Sequence, residues 1–315
     1  MKKLQWLVLI SVIASFVLFN AGFYILFTSR YIDRSPELMK SSLIELDKYL
    51  PFDEASLCVK TDSELTLSGE LPVLDGATAL FPIYSAFMNA YYPEGSYVFD
   101  GKSFSEDSLL QKRGTTGAYK AVCDGLADII FVAQPSEEQL RYAREQGTEL
   151  EFVPIGYEAF VFIVNSGNPV DGLTSEQIKA VYSGSITNWK QLGGGNIPII
   201  PLQRAENSGS QTAMYAFMGD VPMMKPPAVL FGKAIGYSFR FYVSDISGKE
   251  KIKMLSVDGV YPDKESIRNG TYPVTDSFYA VYRSDNTNEN VPLLIERILS
   301  AEGQEIIEKT GYVGI

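Results

Sequence analysis

Residues 115–147 read "TTGAYKAVCDGLADIIFVAQPSEEQLRYAREQG", and this stretch decides the fold class. Its first part, to Asp128, carries Ala118, Val122 and Leu126 at helical spacing, which predicts a helix. "IIFVA" follows as a short, uninterrupted apolar run of the kind found in a strand buried on both faces. Then Ser136, with Gln139 three residues later, forms a capping-box pattern that opens a second helix. The same alternation extends in both directions. "LPVLDG" (71–76) predicts a strand, and "FPIYSAFMNAYY" (81–92) a helix with Pro82 in its first turn. "YVFDG" (97–101), "EFVPI" (151–155) and "AFVFIVN" (159–165) read as strands. "TSEQIKAVYSG" (174–184) reads as a helix opened by Thr174 and Gln177 and stopped at Gly184. Strands alternating with helices imply an α/β protein with mainly parallel sheets.

The counts exclude several functions. The chain of 315 residues has a formal charge of −11 and no histidine. A strongly acidic chain lacks the basic face that nucleic-acid binding needs. Without histidine there is no Ser-His-Asp or Cys-His arrangement and no imidazole metal ligand. Cys58 and Cys123 are too few for a thiolate metal site. Gly193, Gly194 and Gly195 form a turn; the Lys-Ser/Thr that would make it a phosphate loop is absent. No metal or cofactor is therefore expected.

The amino end has another character. After "MKK" an apolar run extends from Leu4 to Phe27, broken by Gln5, Ser11, Ser15 and Asn20. About 20 apolar residues suffice to cross a bilayer, and Lys2 and Lys3 favour keeping that end in the cytoplasm. The expectation is a signal anchor over residues 1–29, a spacer over 30–70 with a helix opening at Ser35-Pro36, and an extracytoplasmic body from 71 to 315. Late cleavage near Ala21 or Ser29 is the alternative. An exported body permits a Cys58–Cys123 disulfide, and the helical setting of Cys123 equally permits a buried thiol.

Three loop-to-helix junctions share one chemistry: "DGATALFP" (75–82), "RGTTGAYK" (113–120) and "RAENSGSQ" (204–211). A helix start presents unpaired N–H groups and partial positive charge, and so favours an oxyanion. Thr115, Thr116, Ser208 and Ser210 add hydroxyls, and Arg204 offers a planar pair of charge-assisted donors. Each junction alone reads more readily as an ordinary capped helix, and it is the three together in one chain that bring the anion reading level with it.

Six ordered segments together resemble the PstS-like phosphate-binding proteins of ABC importers, a type II branch of the two-lobed periplasmic-binding-protein superfamily. They are "GATALFP" (76–82), "GTTGAYKAVCDGLADI" (114–129), "QRAENSGSQTAMYAF" (203–217), "VYSGSITNW" (181–189), "AIGYSF" (234–239) and "NGTYPVTDSFYAVY" (269–282). The resemblance implies two α/β lobes, the first about 71–155 plus 272–315 and the second about 156–271, with a small ligand clamped between them. It places Thr78, Ala79, Leu80, Thr115, Thr116, Arg204, Ser208, Gly209 and Ser210 at the ligand. The last three segments are expected outside the site.

Two departures bear on the chemistry. Leu80 stands where the family often has a threonine hydroxyl. In "FVAQPS" (131–136) Ala133 stands where the family commonly has an aspartate that accepts the proton of monohydrogen phosphate. Glu158, opening "EAFVFIVN", is the candidate carboxylate from another direction. The expected function is thus phosphate or oxyanion binding for ABC-type import, with permease and ATPase subunits as partners. The alternatives are a degenerate binding fold that senses or docks, and a serine phosphatase or hydrolase using Ser208 or Ser210. "NSGSQ" lacks the G-x-S-x-G elbow, and no histidine exists to activate either serine.

Overall fold

The computed structural model describes residues 14–20, 22, 46–61, 63, 65–225, 232–243 and 252–315. Most of the expected anchor and the helix expected from Ser35 lie outside the described residues. Among those described, no helix is long and apolar enough to cross a membrane.

Two sheets share one strand. β1 (Leu74–Gly76) runs parallel to β2 (Ile129–Val132), the chain passing between them through helices α1 (Phe81–Tyr91) and α2 (Gly114–Cys123). After α3 (Glu137–Glu145) comes β3 (Leu150–Asn165), 16 residues long. The second sheet adds β5 (Ile199–Pro201), β6 (Lys233–Phe239) and β7 (Ile252–Met254), with α4 (Ser175–Tyr182) and α5 (Gly209–Met218) against it, while β4 (Gly172–Leu173) and β8 (Ser256–Val257) form a separate two-stranded sheet. The short α6 (Lys264–Arg268) precedes β9 (Thr275–Arg283), and α7 (Asn290–Leu299) and α8 (Ala301–Lys309) close the chain.

The strand order β1-β2-β9-β3-β6-β5 is mixed, which corrects the mainly parallel expectation. β1–β2, β5–β6 and β4–β8 are parallel, whereas β2–β9, β9–β3, β3–β6 and β3–β7 are antiparallel. The cause is topological. A chain that leaves one lobe along β3 must return along β9 in the opposite direction, and each crossover strand then borders parallel units on one side. The two strands expected at "EFVPI" and "AFVFIVN" are one. β3 pairs β9 as far as Ala159 and pairs β6 from Phe160, with a bulge between Pro154 and Gly156. Gly156 is required there, because a Cβ would stand 2.4 Å from the Phe278 ring and 2.7 Å from the Val313 carbonyl. "YVFDG" makes only a single bridge, Phe99 to Phe104.

Local signals explain the helices. Both capping boxes form, Ser136 with Gln139 and Thr174 with Gln177. α1 is buried on nearly every side, as an all-round apolar helix must be. α2 stops at Cys123, short of the expected Asp128, because Gly125 turns into the left-handed region at φ 72°.

Alternate residues of β2 serve two cores. Ile129 and Phe131 join α1, α7 and α8, while Ile130 and Val132 join α2 and Ala143 of α3. The second lobe has its own core around Phe162, Tyr182, Trp189 and Tyr237. Part of the stretch expected as a spacer is packed: Cys58 and Leu67 are buried in the α1 core, with Tyr49, Leu50 and Phe52 against it.

Both cysteines are free and buried. Cys58 belongs to the core on one face of the first sheet and Cys123 to the core on the other, so a disulfide between them is precluded. Burial pushes each thiol up to about 11. At pH 8 roughly one thiol in a thousand is then ionised, and the thiolate is the reactive form. Iodoacetamide should leave the folded chain unlabelled and add two carbamidomethyl groups once denaturant is present, which intact mass will report.

Candidate functional site

A cavity of about 500 Å³ lies between the lobes, and every ligand residue singled out from the sequence lines it. Thr78, Ala79 and Leu80 form a 3-10 turn leading straight into α1, and no side chain caps either start. Thr115 and Thr116 lie in the first turn of α2, which also has no side-chain cap. Ser208, Gly209 and Ser210 open α5, where the Ser208 hydroxyl accepts from the Gln211 N–H at 3.3 Å. Three helix starts therefore meet at one cleft, and two leave their first N–H groups unclaimed by side chains.

The two lobes already touch beside the cleft. The Thr116 hydroxyl donates to the Asn207 carbonyl at 3.1 Å, and Gln139 Nε2 donates to the same oxygen at 3.0 Å. Asn207 takes φ 61°, a left-handed conformation that asparagine tolerates. A Cβ on Gly209 would lie 3.6 Å from Thr115 Oγ1 and 3.7 Å from Ala133 Cβ, so α2 and α5 face each other closely. Thr116 accordingly spends its proton on the opposite lobe.

Among the described residues two cations line the cleft. Arg204 is half-buried, and burial lowers its pKa. Its backbone N–H donates to Gln211 Oε1 at 3.0 Å, and the fully buried Gln211 thereby fixes the loop that carries it. Arg113 is committed differently. Its Nη1 lies 2.6 Å from Asp75 Oδ2 and its N–H donates to Asp75 Oδ1 at 2.8 Å. Burial raises the Asp75 pKa against the opposing pull of those Arg113 bonds. The pair ties the first junction to the second.

Glu158 sits where β3 changes sheets and is buried at 5 % exposure. Its Oε1 accepts from the Ala159 N–H at 2.9 Å and its Oε2 from the Phe241 N–H at 3.4 Å. Its register neighbour on β9 is Asp276, whose pKa is raised by burial and lowered by the Ser277 N–H and Gln134. At Ala133 the backbone carbonyl accepts from the Tyr119 hydroxyl at 3.0 Å, and no carboxylate is offered.

The sequence reading missed Arg113, Gln211, Ser238, Phe239, Tyr242, Ser277, Phe278 and Tyr312; all but Gln211 line the cavity. "AIGYSF" and "NGTYPVTDSFYAVY" were expected outside the site, yet Ser238 and Phe239 from the one and Ser277 and Phe278 from the other line it. The signal for Arg113 was its place beside the second junction. Tyr312, whose hydroxyl donates to the Ala79 carbonyl, comes from the far end of the chain and left no local signal.

Known proteins are similar to this chain in sequence and fold. A family model described as a PBP superfamily domain matches residues 73–300. The phosphate-binding protein PstS of Borreliella burgdorferi is 24% identical over 278 residues, covering 82% of this chain and 93% of that protein. PstS of Bacillus subtilis is 24% identical over 265 residues, 79% of this chain and 81% of that one. The crystal structure of a putative phosphate ABC transporter substrate-binding protein from Clostridium perfringens, with bound phosphate, aligns with a TM-score of 0.59 at 25% identity, over 77% of this chain and 98% of that chain. Two sheets joined by crossover strands, a cleft between them and a match across most of the body lead to one assignment: the chain belongs to the PBP superfamily and resembles its PstS members.

Proposed function

We propose that this protein is an extracytoplasmic solute-binding protein that captures phosphate or a related small oxyanion for an ABC-type importer. The observation that carries this reading is the convergence of three helix starts and Arg204 on one cleft between two lobes. N–H groups, hydroxyls and a guanidinium directed at one space suit an anion and little else. The names of the relatives point to phosphate and to ABC transport. Permease and ATPase subunits are the implied partners, since this chain has no nucleotide loop of its own. The apolar run from Leu4 to Phe27 supports a tether that keeps the cleft near the membrane. Catalysis is not part of the proposal: Ser208 is occupied as a helix cap and no histidine stands by to activate a serine.

Glu158 takes the place of the missing aspartate in this reading. A carboxylate is an acceptor, so Glu158 can take up a hydrogen bond from a proton carried by the ligand. Calorimetric titration of the purified chain should show heat with phosphate and little with sulfate, which has no proton to give. Absence of binding to either ion would sink the function. Glu158→Gln should narrow the phosphate-over-sulfate preference by about tenfold, one charge-assisted bond being involved. If affinity and preference both stay unchanged, Glu158 has no part in reading the ligand.

A further inference from the structure

An oxyanion accounts for the helix starts but leaves much of the cleft lining unused. The cavity of about 500 Å³ is also lined by Leu80, Phe239, Tyr242, Phe278 and Tyr312. Phosphate has five heavy atoms, whereas cavities of roughly 300–1,000 Å³ hold ligands of organic size. The lobes are in contact through Thr116, Gln139 and Asn207, and Gly209 closes on Thr115 and Ala133. The space follows from the side chains themselves. It is also apolar and adjoins the oxyanion donors. The Phe239 ring lies 3.6 Å from where a Cβ on Gly209 would stand, beside the start of α5. Tyr312, bonded to the Ala79 carbonyl at the first junction, stacks on Phe241 with ring centroids 4.2 Å apart and meets Phe278 edge-on at 5.3 Å.

We propose that the cleft takes an oxyanion bearing an organic substituent, a phosphate monoester or phosphonate with an apolar or aromatic group, in preference to inorganic phosphate. This inference rests on the oxyanion function proposed above. The phosphoryl oxygens face the helix starts and Arg204, and the substituent lies against the partly exposed Phe239 ring, with the buried Leu80, Phe278 and Tyr312 behind the cleft wall. Burying such a substituent removes apolar surface from water on both sides, a gain that inorganic phosphate cannot obtain.

The full chain is titrated by calorimetry with inorganic phosphate, methylphosphonate, phenylphosphonate and benzyl alcohol. Phenylphosphonate is expected to bind at least about tenfold more tightly than inorganic phosphate, with methylphosphonate between them and benzyl alcohol silent. Phe239→Ala should weaken phenylphosphonate binding by a larger factor than phosphate binding. Equal or tighter binding of inorganic phosphate overturns this inference and leaves the oxyanion function standing. No binding by any of the three anions overturns both. The comparison of ligands on the unaltered chain is decisive even if the variant does not fold.

Discussion

Arg204→Ala is expected to weaken phosphate binding by roughly 100-fold, about 3 kcal/mol, as for loss of one partner from a desolvated charge pair. Among the described residues two guanidiniums line the cleft: Arg113, held against Asp75 at 2.6 Å, and Arg204, which lies beside the three helix starts. Arg204 is the cation whose charge burial opposes, as its lowered pKa records. An anion in the cleft relieves that opposition, so the interaction gains from the absence of water. The same reasoning separates binding from folding. The melting temperature of the unliganded variant reports any cost to the fold separately. The shift of that temperature by phosphate should disappear. Arg204→Lys keeps the charge but loses the planar pair of donors, and should fall between. Wild-type affinity in the alanine variant would remove Arg204 from the site.

Arg113→Met is expected to destabilise the fold by about 3 kcal/mol at neutral pH, the usual consequence of leaving one member of a buried pair alone. Asp75 is fully buried, while the Arg113 side chain retains 33% exposure. Without the guanidinium, Asp75 keeps only N–H donors such as that of Gly76 at 2.7 Å. The reverse change, Asp75→Asn, leaves a cation that water can reach and should cost less. The sign with pH is fixed by the direction of the shift. The folded pKa of Asp75 is raised above 3.8, so ionising it opposes folding, and that opposition grows as pH rises through the folded value. Losing Arg113 enlarges the shift. The stability gap between variant and wild type should therefore be widest at neutral pH and narrow in acid. Thermal melts at a series of pH values test this, and a gap independent of pH would mean that Asp75 is not the cause.

Legibility in the sequence followed the distance over which each contact acts. The capping boxes at Ser136 and Thr174 are three-residue signals and formed as read. The junctions around Thr78, Thr115 and Ser208 were visible because helix starts advertise themselves in composition. The continuity of β3 was hidden by Pro154 and Gly156, which break an apolar run in print and only bulge a strand in space. Arg113 and Asp75 are far apart in the chain, and nothing near either residue predicts the pairing. Phe239 stood in a segment expected outside the site and Tyr312 was not singled out at all; only the assembled lobes reveal them as lining. The Ala133 departure was legible in advance; its consequence, an apolar floor beside Gly209, was not.

The sheet order sets a schedule for synthesis. A chain emerging amino end first delivers β1, β2 and the α1 and α2 helices before the rest, yet β9 must lie between β2 and β3, and α7 and α8 complete the core over α1. The second lobe draws its core almost entirely from Ala159 to Tyr272 and is whole before then. As the chain emerges amino end first, the older lobe therefore waits with an open strand edge and an uncovered apolar face while the younger one folds. The nascent chain is most exposed to aggregation in that interval, and a holding chaperone or delayed release has most to contribute there.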